Sequence, residues 1–482
     1  MNSPKKSVIP ICLLLLLAIF SQLMVVFLFE NIKGYLFYLV IFLLSIFIIT
    51  LLRWPENILY LITLIFPFQS FSILDFTIQK TKTAIAVWPI DITAFIAGMA
   101  LLAKLNSNKT KNLYVAKSYN LPMFVLCSFS VLSLFWVENL RVGLYSFIKL
   151  IACVLLFYAP IVLINSKEQL KRIVYFLFLA GTIMAIGGIF STIIKANKET
   201  ITFVDIELGN YLHFVMSYFI AQKARALGFA YSNFLAFFLS LSFICGLYVL
   251  TQIRKGVKII LILVILIIIL YLYAEINTLS RGGLVAFAAG VTFFIFTNIK
   301  TRFDWPKYFL IFLFVVIVVL LIFSMLKLSG GFGRLEASIT SERLVSSWGT
   351  RMYIWERGLK EFLDSYGLGT GIGGLISLTP YNLYAHNAYL GTLFELGVIG
   401  FFMYLLIHYI FISQAKFFKI LSCKDFNPLF TTFASILIVW LLHSLIEFDY
   451  YLLRIPWFIL GLSVATIKLK SIQERGACNE GF

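Results

Sequence analysis

Charge is scarce in this chain. Only 13% of its 482 residues are Asp, Glu, Lys or Arg, while 61% are apolar, and the mean hydropathy is +0.96. Those values lie outside the range of soluble globular domains. Acidic residues are the rarer sign, 22 against 39 basic ones, which leaves a formal net charge of +17. The surplus is spread over many short loops rather than gathered on one aromatic-studded surface, so it does not point to nucleic acid. Histidine is limited to His213, His386, His408 and His443, and no HExxH or comparable spacing offers a zinc site. The six cysteines form no CxxC pair, and Cys12, Cys127, Cys153 and Cys245 sit in apolar runs as filler. No ATP-binding motif occurs, and no inverted repeat of the transporter kind stands out.

What the chain has in abundance is apolar runs near twenty residues long, each enough at about 1.5 Å per residue to cross roughly 30 Å of hydrocarbon. They predict an all-α polytopic transmembrane bundle of about fourteen spans. The spans fall at roughly 8–29, 35–52, 57–74, 87–104, 120–136, 144–164, 172–194, 227–250, 257–275, 282–298, 308–328, 386–412, 428–446 and 450–467. The run from Val8 is too long for a signal-peptide core and lacks an A-x-A-like site after it, so it counts as a span. With the N-terminus inside, Lys5, Lys6, Arg53, KLNSNKTKNLYVAK, SKEQLKR, QIRKGVK, IKTRFDWPK, AKFFKILSCK and the tail from Lys468 to Arg475 all fall on the cytoplasmic side, as the positive-inside rule requires. Outer connections are poorer in basic residues, apart from the one that holds Lys80 and Lys82. The expected organisation is a seven-span bundle over 1–194, central spans with an arginine-bearing outer loop over 195–328, a large outer loop over 329–385, and three spans with a cytoplasmic tail over 386–482.

Functional polar residues collect on the predicted outer side. Arg225 precedes the eighth span, Arg281 lies between the ninth and tenth, Arg351 lies in the large loop, and His386 opens the twelfth. Taken singly, each arginine could equally be a snorkelling anchor. Arg357 and Lys360, by contrast, have Glu361 and Glu356 at helical spacing and read as surface ion pairs. Unpaired guanidinium forks suit phosphate, which they bind bidentately at any biological pH. GLGTGIGG, residues 367–374, is either an anion nest of backbone N–H groups, with Gly369 and Gly371 supporting the ligand, or a flexible loop. Its literal G-x-G-x-x-G is not a dinucleotide site, since no strand-helix-strand unit surrounds it. Met352, Trp355, Leu359 and Phe362 form one stripe of a helix expected to lie on the membrane or cap the bundle. Asp91 and Lys149 fall inside spans and need partners, either each other or a substrate. His443, Glu447, Asp449 and Arg454 cluster at the last outer turn, where mutual ion pairing is expected ahead of acceptor binding. Glu395 is expected to pair within the bundle.

The segments RALGFAYSN, TLSRGG, TRMYIWERGLKEF followed by GLGTGIGG, and AHNAYLGTLFELGVIG resemble the O-antigen ligase and polymerase family of bacterial envelope glycan assembly, which includes WaaL ligases and many Wzy polymerases. The likeness spans roughly Arg225 to Trp457 and is most specific at His386, Asn387, Leu390, Glu395 and Gly397. Ser232 and Tyr366 stand where the family often has proline. The resemblance implies a metal-independent, cofactor-free GT-C-type glycosyltransferase in the cytoplasmic membrane. Its donor would be an undecaprenyl-diphosphate-linked glycan, and its acceptor a saccharide or glycolipid on the outer face. Fixed arginines suit a departing diphosphate, and histidine is the residue type suited to accept a hydroxyl proton near neutral pH. Arg225, Arg281 and Arg351 are therefore the expected diphosphate ligands and His386 the expected base, held by Asn387. Two sizeable outer loops lean the reading toward a polymerase over a ligase. A transporter or flippase of lipid-linked sugars is the competing class, and it would place its charges at the bilayer midplane in broken helices.

Overall fold

A computed structural model of the chain describes residues 54–68, 74–78, 83–87, 89–106, 114–196, 232–253, 258–278, 280–299, 341–378, 385–417, 427–446 and 453–479. The expected spans at 8–29, 35–52 and 308–328, together with Arg225, Glu447 and Asp449, lie outside the described residues. Within them the chain is an all-α polytopic membrane bundle. Eight described helices are long and apolar enough to cross a membrane, and two more are apolar but shorter.

In chain order the helices are α1 (Asn57–Ile65), α2 (Pro89–Asn106), α3 (Tyr114–Ser133), α4 (Leu140–Leu163), α5 (Lys167–Ala196), α6 (Ser232–Gln252), α7 (Lys258–Asn277) and α8 (Arg281–Ile299). They continue with α9 (Ser341–Asp364), α10 (Gly374–Leu378), α11 (Ala388–Phe417), α12 (Asn427–Ile446) and α13 (Arg454–Asn479). The expected span at 57–74 is corrected by this order. Helix α1 has nine residues, about 14 Å, and passes into a 3-10 turn, Phe66–Phe68, at Pro67. Proline has no N–H to continue the ladder. The chain then forms an antiparallel hairpin of β1 (Leu74–Ile78) and β2 (Thr83–Val87), with Leu74 opposite Val87 and Ile78 opposite Thr83. It is the one strand pair among the described residues.

Polar contacts fix which helix ends share a rim. Asp91, at the start of α2, accepts from Nε and Nη2 of Arg454, at the start of α13, at 2.9 and 2.6 Å. At the far end of the same helices, Lys468 donates to the carbonyls of Ile161 and Ile164 at 2.6 and 2.7 Å, and Lys104 donates to Leu163 at 3.3 Å. Helices α2, α4 and α13 therefore run parallel, and two lysines satisfy the carbonyl end of α4, where a helix dipole favours positive charge. Glycine lets α13 lie against α4, because a Cβ at Gly461 would collide with the Phe157 carbonyl, the small-residue packing usual between membrane helices. Asn298, late in α8, donates to Thr431, early in α12, at 3.0 Å. Gln414, late in α11, donates to the Val115 carbonyl at the start of α3 at 2.9 Å. Both pairs are therefore antiparallel. One rim of the bundle gathers the starts of α2, α4, α8, α11 and α13 with the ends of α3 and α12.

The Asp91–Arg454 pair gives Arg454 a partner outside the last turn and gives Asp91 a basic partner that the sequence did not name. Both side chains are almost wholly buried, so breaking the pair strands a charge. Arg454→Met is expected to cost about 3–5 kcal/mol, read as a lower unfolding temperature in detergent. The double variant Asp91→Leu, Arg454→Met should recover most of that loss; a double variant no better than the single one would contradict the assignment.

Candidate functional site

The site grows from the end of α9. Tyr366 adopts the left-handed region at φ 54°, the N–H of Gly367 reaches back to the Phe362 carbonyl at 2.9 Å, and that of Tyr366 to Leu363 at 3.0 Å. This is a Schellman stop with a tyrosine where glycine is usual. The glycine-rich segment follows and runs directly against α11. That helix is broken at Gly397, whose φ 60° and ψ −163° are non-helical and belong to a region open essentially to glycine alone. A break in a membrane helix leaves carbonyls without partners, and these must be satisfied by protein.

The glycine segment satisfies them. Thr370 N–H donates to the Phe394 carbonyl at 2.8 Å, Gly371 N–H to the Glu395 carbonyl at 3.0 Å, and beyond the break Val398 N–H donates to Gly367 at 3.0 Å. The Glu395 carboxylate turns back and accepts from Gly373 N–H at 2.9 Å. Ser133 Oγ takes the Ile372 N–H at 3.0 Å, Ser365 Oγ takes Gly369 N–H at 2.9 Å, and Trp136 Nε1 donates to the Gly369 carbonyl at 3.0 Å. Leu368 and Gly374 close on Ser365 and Gly371. Every backbone N–H from Gly367 to Gly374 thus has a protein acceptor. The segment is neither an anion nest nor a flexible loop: Gly369 and Gly371 support the break in α11 instead of a ligand. Their side chains are missing for lack of room, since a Cβ would lie 2.7 Å from the Glu395 carbonyl at Gly369 and 2.7 Å from the Ser133 carbonyl at Gly371.

At the start of α11, Asn387 caps the helix, accepting from Tyr389 N–H and Leu390 N–H, both at 3.0 Å, while its Nδ2 donates to the Leu445 carbonyl at the end of α12 at 3.1 Å. Its side chain is therefore engaged in capping and in tying α11 to α12. It fixes the backbone from which His386 projects. His386 is half-buried and left-handed at φ 50°, a conformation uncommon outside glycine and recurrent at functional sites. Just before it, the Ala385 carbonyl accepts from Trp355 Nε1 of α9 at 2.7 Å.

Helix α9 packs on α11 through Ile354, Trp355, Phe362 and Phe394, with Gly358 against the Phe394 ring. Met352 and Leu359 are exposed, so the expected stripe of Met352, Trp355, Leu359 and Phe362 splits between two faces. Arg351, half-buried, lies three residues before Ile354 and seven before Gly358, on the face toward α11. Arg357 pairs with Glu361 at 2.8 Å, as spacing predicts. Arg281 opens α8, on the rim where α12 ends and α11 begins. The structure thus brings the chain positions of Arg281, Arg351 and His386 to one rim.

Inward from that rim lies a charged layer that no motif announced. Lys149 is buried, stands 3.9 Å above the Tyr145 ring and feels the charges of Arg454, Asp91 and Glu395. His443 is buried, with its ring 6.2 Å from that of Phe237.

Gly397→Ala should destabilise the protein by at least about 1–3 kcal/mol, because the added Cβ also strikes the Gly367 carbonyl. Gly349→Ala, with nothing within 4 Å of its Cβ, should be neutral or stabilising by up to about 1 kcal/mol. Thermal unfolding in detergent compares them, and equal effects would contradict the sealed break.

Residues 266–405 match the family model described as O-antigen ligase. The matched range holds Arg281, Arg351, the glycine segment, His386, Glu395 and Gly397, and leaves out Arg225 and the Asp91–Arg454 pair. No curated protein matches the chain. The match gives the molecule a membrane glycosyltransferase-like role in polysaccharide ligation or polymerisation. Residues 266–405 are thus similar to the O-antigen ligase family, and the broken helix and its glycine clasp lie toward the C-terminal end of the matched range.

Proposed function

We propose that the protein transfers a glycan from an undecaprenyl-diphosphate carrier to a saccharide acceptor at the extracytoplasmic face of the cytoplasmic membrane. The acceptor hydroxyl attacks the anomeric carbon, its proton passes to His386, and the carbon-oxygen bond to the diphosphate breaks. The electron pair leaves on the diphosphate, and a single displacement inverts the anomeric centre. Arg225, Arg281 and Arg351 are the proposed diphosphate ligands, in keeping with guanidinium geometry and with the need to stabilise charge where it develops. The observation that carries the reading is the left-handed His386 at the capped start of α11, on the rim where α8 opens with Arg281 and against which α9 turns its Arg351 face. The basic cytoplasmic loops read from the sequence support that rim as the outer one.

A transporter of lipid-linked sugars draws support from the broken α11 and from the buried charges Asp91, Lys149, Glu395 and Arg454. In transporters such a break opens its backbone to the cargo. Here the freed carbonyls and the Glu395 carboxylate bind the glycine segment, and Asp91 holds Arg454, which favours the enzyme. Between polymerase and ligase, which share a donor and differ in acceptor, the proposal keeps its lean toward the polymerase.

Purified protein supplied with undecaprenyl-diphosphate glycan and acceptor should yield extended or transferred glycan. His386→Ala should lower the turnover by about 10²–10⁴-fold with little change in unfolding temperature. Undiminished product from that variant would remove the proposed base. Glycan crossing sealed vesicles without new linkages would favour the transporter.

A further inference from the structure

Helix α9 carries a face that neither the site nor the bundle uses. At 3.6 residues per turn, Met352, Leu359 and Leu363 fall within roughly 40° of one another. They lie beside the packed face of Arg351, Ile354, Gly358 and Phe362, and the opposite flank carries Glu356, Lys360 and Asp364. All three apolar residues are exposed, Leu363 to 63%. Packed face, bare apolar face and charged face follow one another around the helix.

The bare face has a direction. Tyr366 and Leu368 continue it past the helix end, and the Gly367 carbonyl between them accepts from Val398 N–H at 3.0 Å. Val398 begins the second segment of α11, whose outward residues Val398, Ile399 and Phe402 are also exposed, Phe402 to 58%. That surface belongs to a membrane span, so the apolar face of α9 is continuous with a lipid-facing flank. Tyr366 adds a second observation. It holds the left-handed stop position, where glycine fits more easily, while the residue is 97% exposed. A tyrosine with an apolar ring and a polar tip suits the level of the headgroups.

We propose that α9 lies at the membrane surface with Met352, Leu359, Leu363 and Tyr366 immersed in the lipid leaflet, and that the occupant of its bare face is phospholipid. The charged flank meets water and the packed face meets α11. The helix is thus an interfacial anchor of the amphipathic kind, and it sets the height of Arg351. The anchoring stands apart from the transfer chemistry, because its test requires no turnover.

Nitroxides placed one at a time at positions 359, 360, 363 and 364 of the full chain, with native cysteines replaced and unfolding temperature retained, report their surroundings in nanodiscs. At 359 and 363, collisions with oxygen should exceed those with a water-soluble nickel chelate, and at 360 and 364 the order should reverse. Preference for nickel at 359 and 363, or protection from both reagents as under a protein partner or second copy, overturns the proposal. In the chain with its native cysteines, Leu363→p-benzoylphenylalanine should crosslink on irradiation with a mass gain of one phospholipid, and Lys360→p-benzoylphenylalanine should not. Absence of lipid adduct at 363, or adduct at both positions alike, overturns it independently.

Discussion

A membrane helix can be interrupted only where something replaces the hydrogen bonds it gives up. In this protein the interruption at Gly397 is matched by a segment with almost no side chains, so that two backbones come within bonding distance. Phe394 and Glu395 offer carbonyls, Thr370 and Gly371 offer N–H groups, and the Glu395 side chain adds a bond to Gly373. Much follows from that seam. It fixes the first segment of α11 at an angle of its own, it brings α9 down onto that segment, and through Ser133 and Trp136 it fastens both to the end of α3. His386 and Asn387 stand at the free end of the short segment, so their position is set by the seam at one end and by the tie to Leu445 at the other.

The buried charges are best understood with this frame in mind. Asp91 and Arg454 join the starts of two parallel helices, while Lys149 and Glu395 extend the same layer toward the seam. In low dielectric the Asp91–Arg454 pair favours one register of α2 against α13, because a slip would strand either charge. The opposite rim uses a related device, with Lys104 and Lys468 gripping the carbonyl end of α4. Helices α2 and α13 are therefore pinned at both ends by unlike means.

How much of this was legible beforehand depends on the range of the interaction. Span positions follow from hydropathy, a local property, and the described helices α2 to α8 and α11 to α13 fall near the expected runs. The run at 57–74 misled because hydropathy is blind to the missing N–H of Pro67. His386, Glu395 and Gly397 stood out through their spacing within one segment. The partner of Arg454 did not, since Asp91 lies 363 residues away and neither has a local pattern that names the other. The glycine segment was ambiguous in a different way. Glycine permits close approach to an anion or to another backbone equally well, and only the position of α11 decides between them. The apolar residues of α9 were visible as helical, but their division into a packed face and a bare one depends on the neighbour.

The central proposal is that Arg281 and Arg351, whose chain positions share the His386 rim, hold a lipid-linked diphosphate. Retention of undecaprenyl diphosphate by the intact protein, measured by native mass spectrometry in the presence of a chelator, tests it directly. The account predicts that the wild-type chain keeps the lipid without divalent metal and that Arg281→Gln, Arg351→Gln loses it while remaining folded. Equal retention by both proteins, or loss of lipid from the wild type when metal is removed, would contradict it.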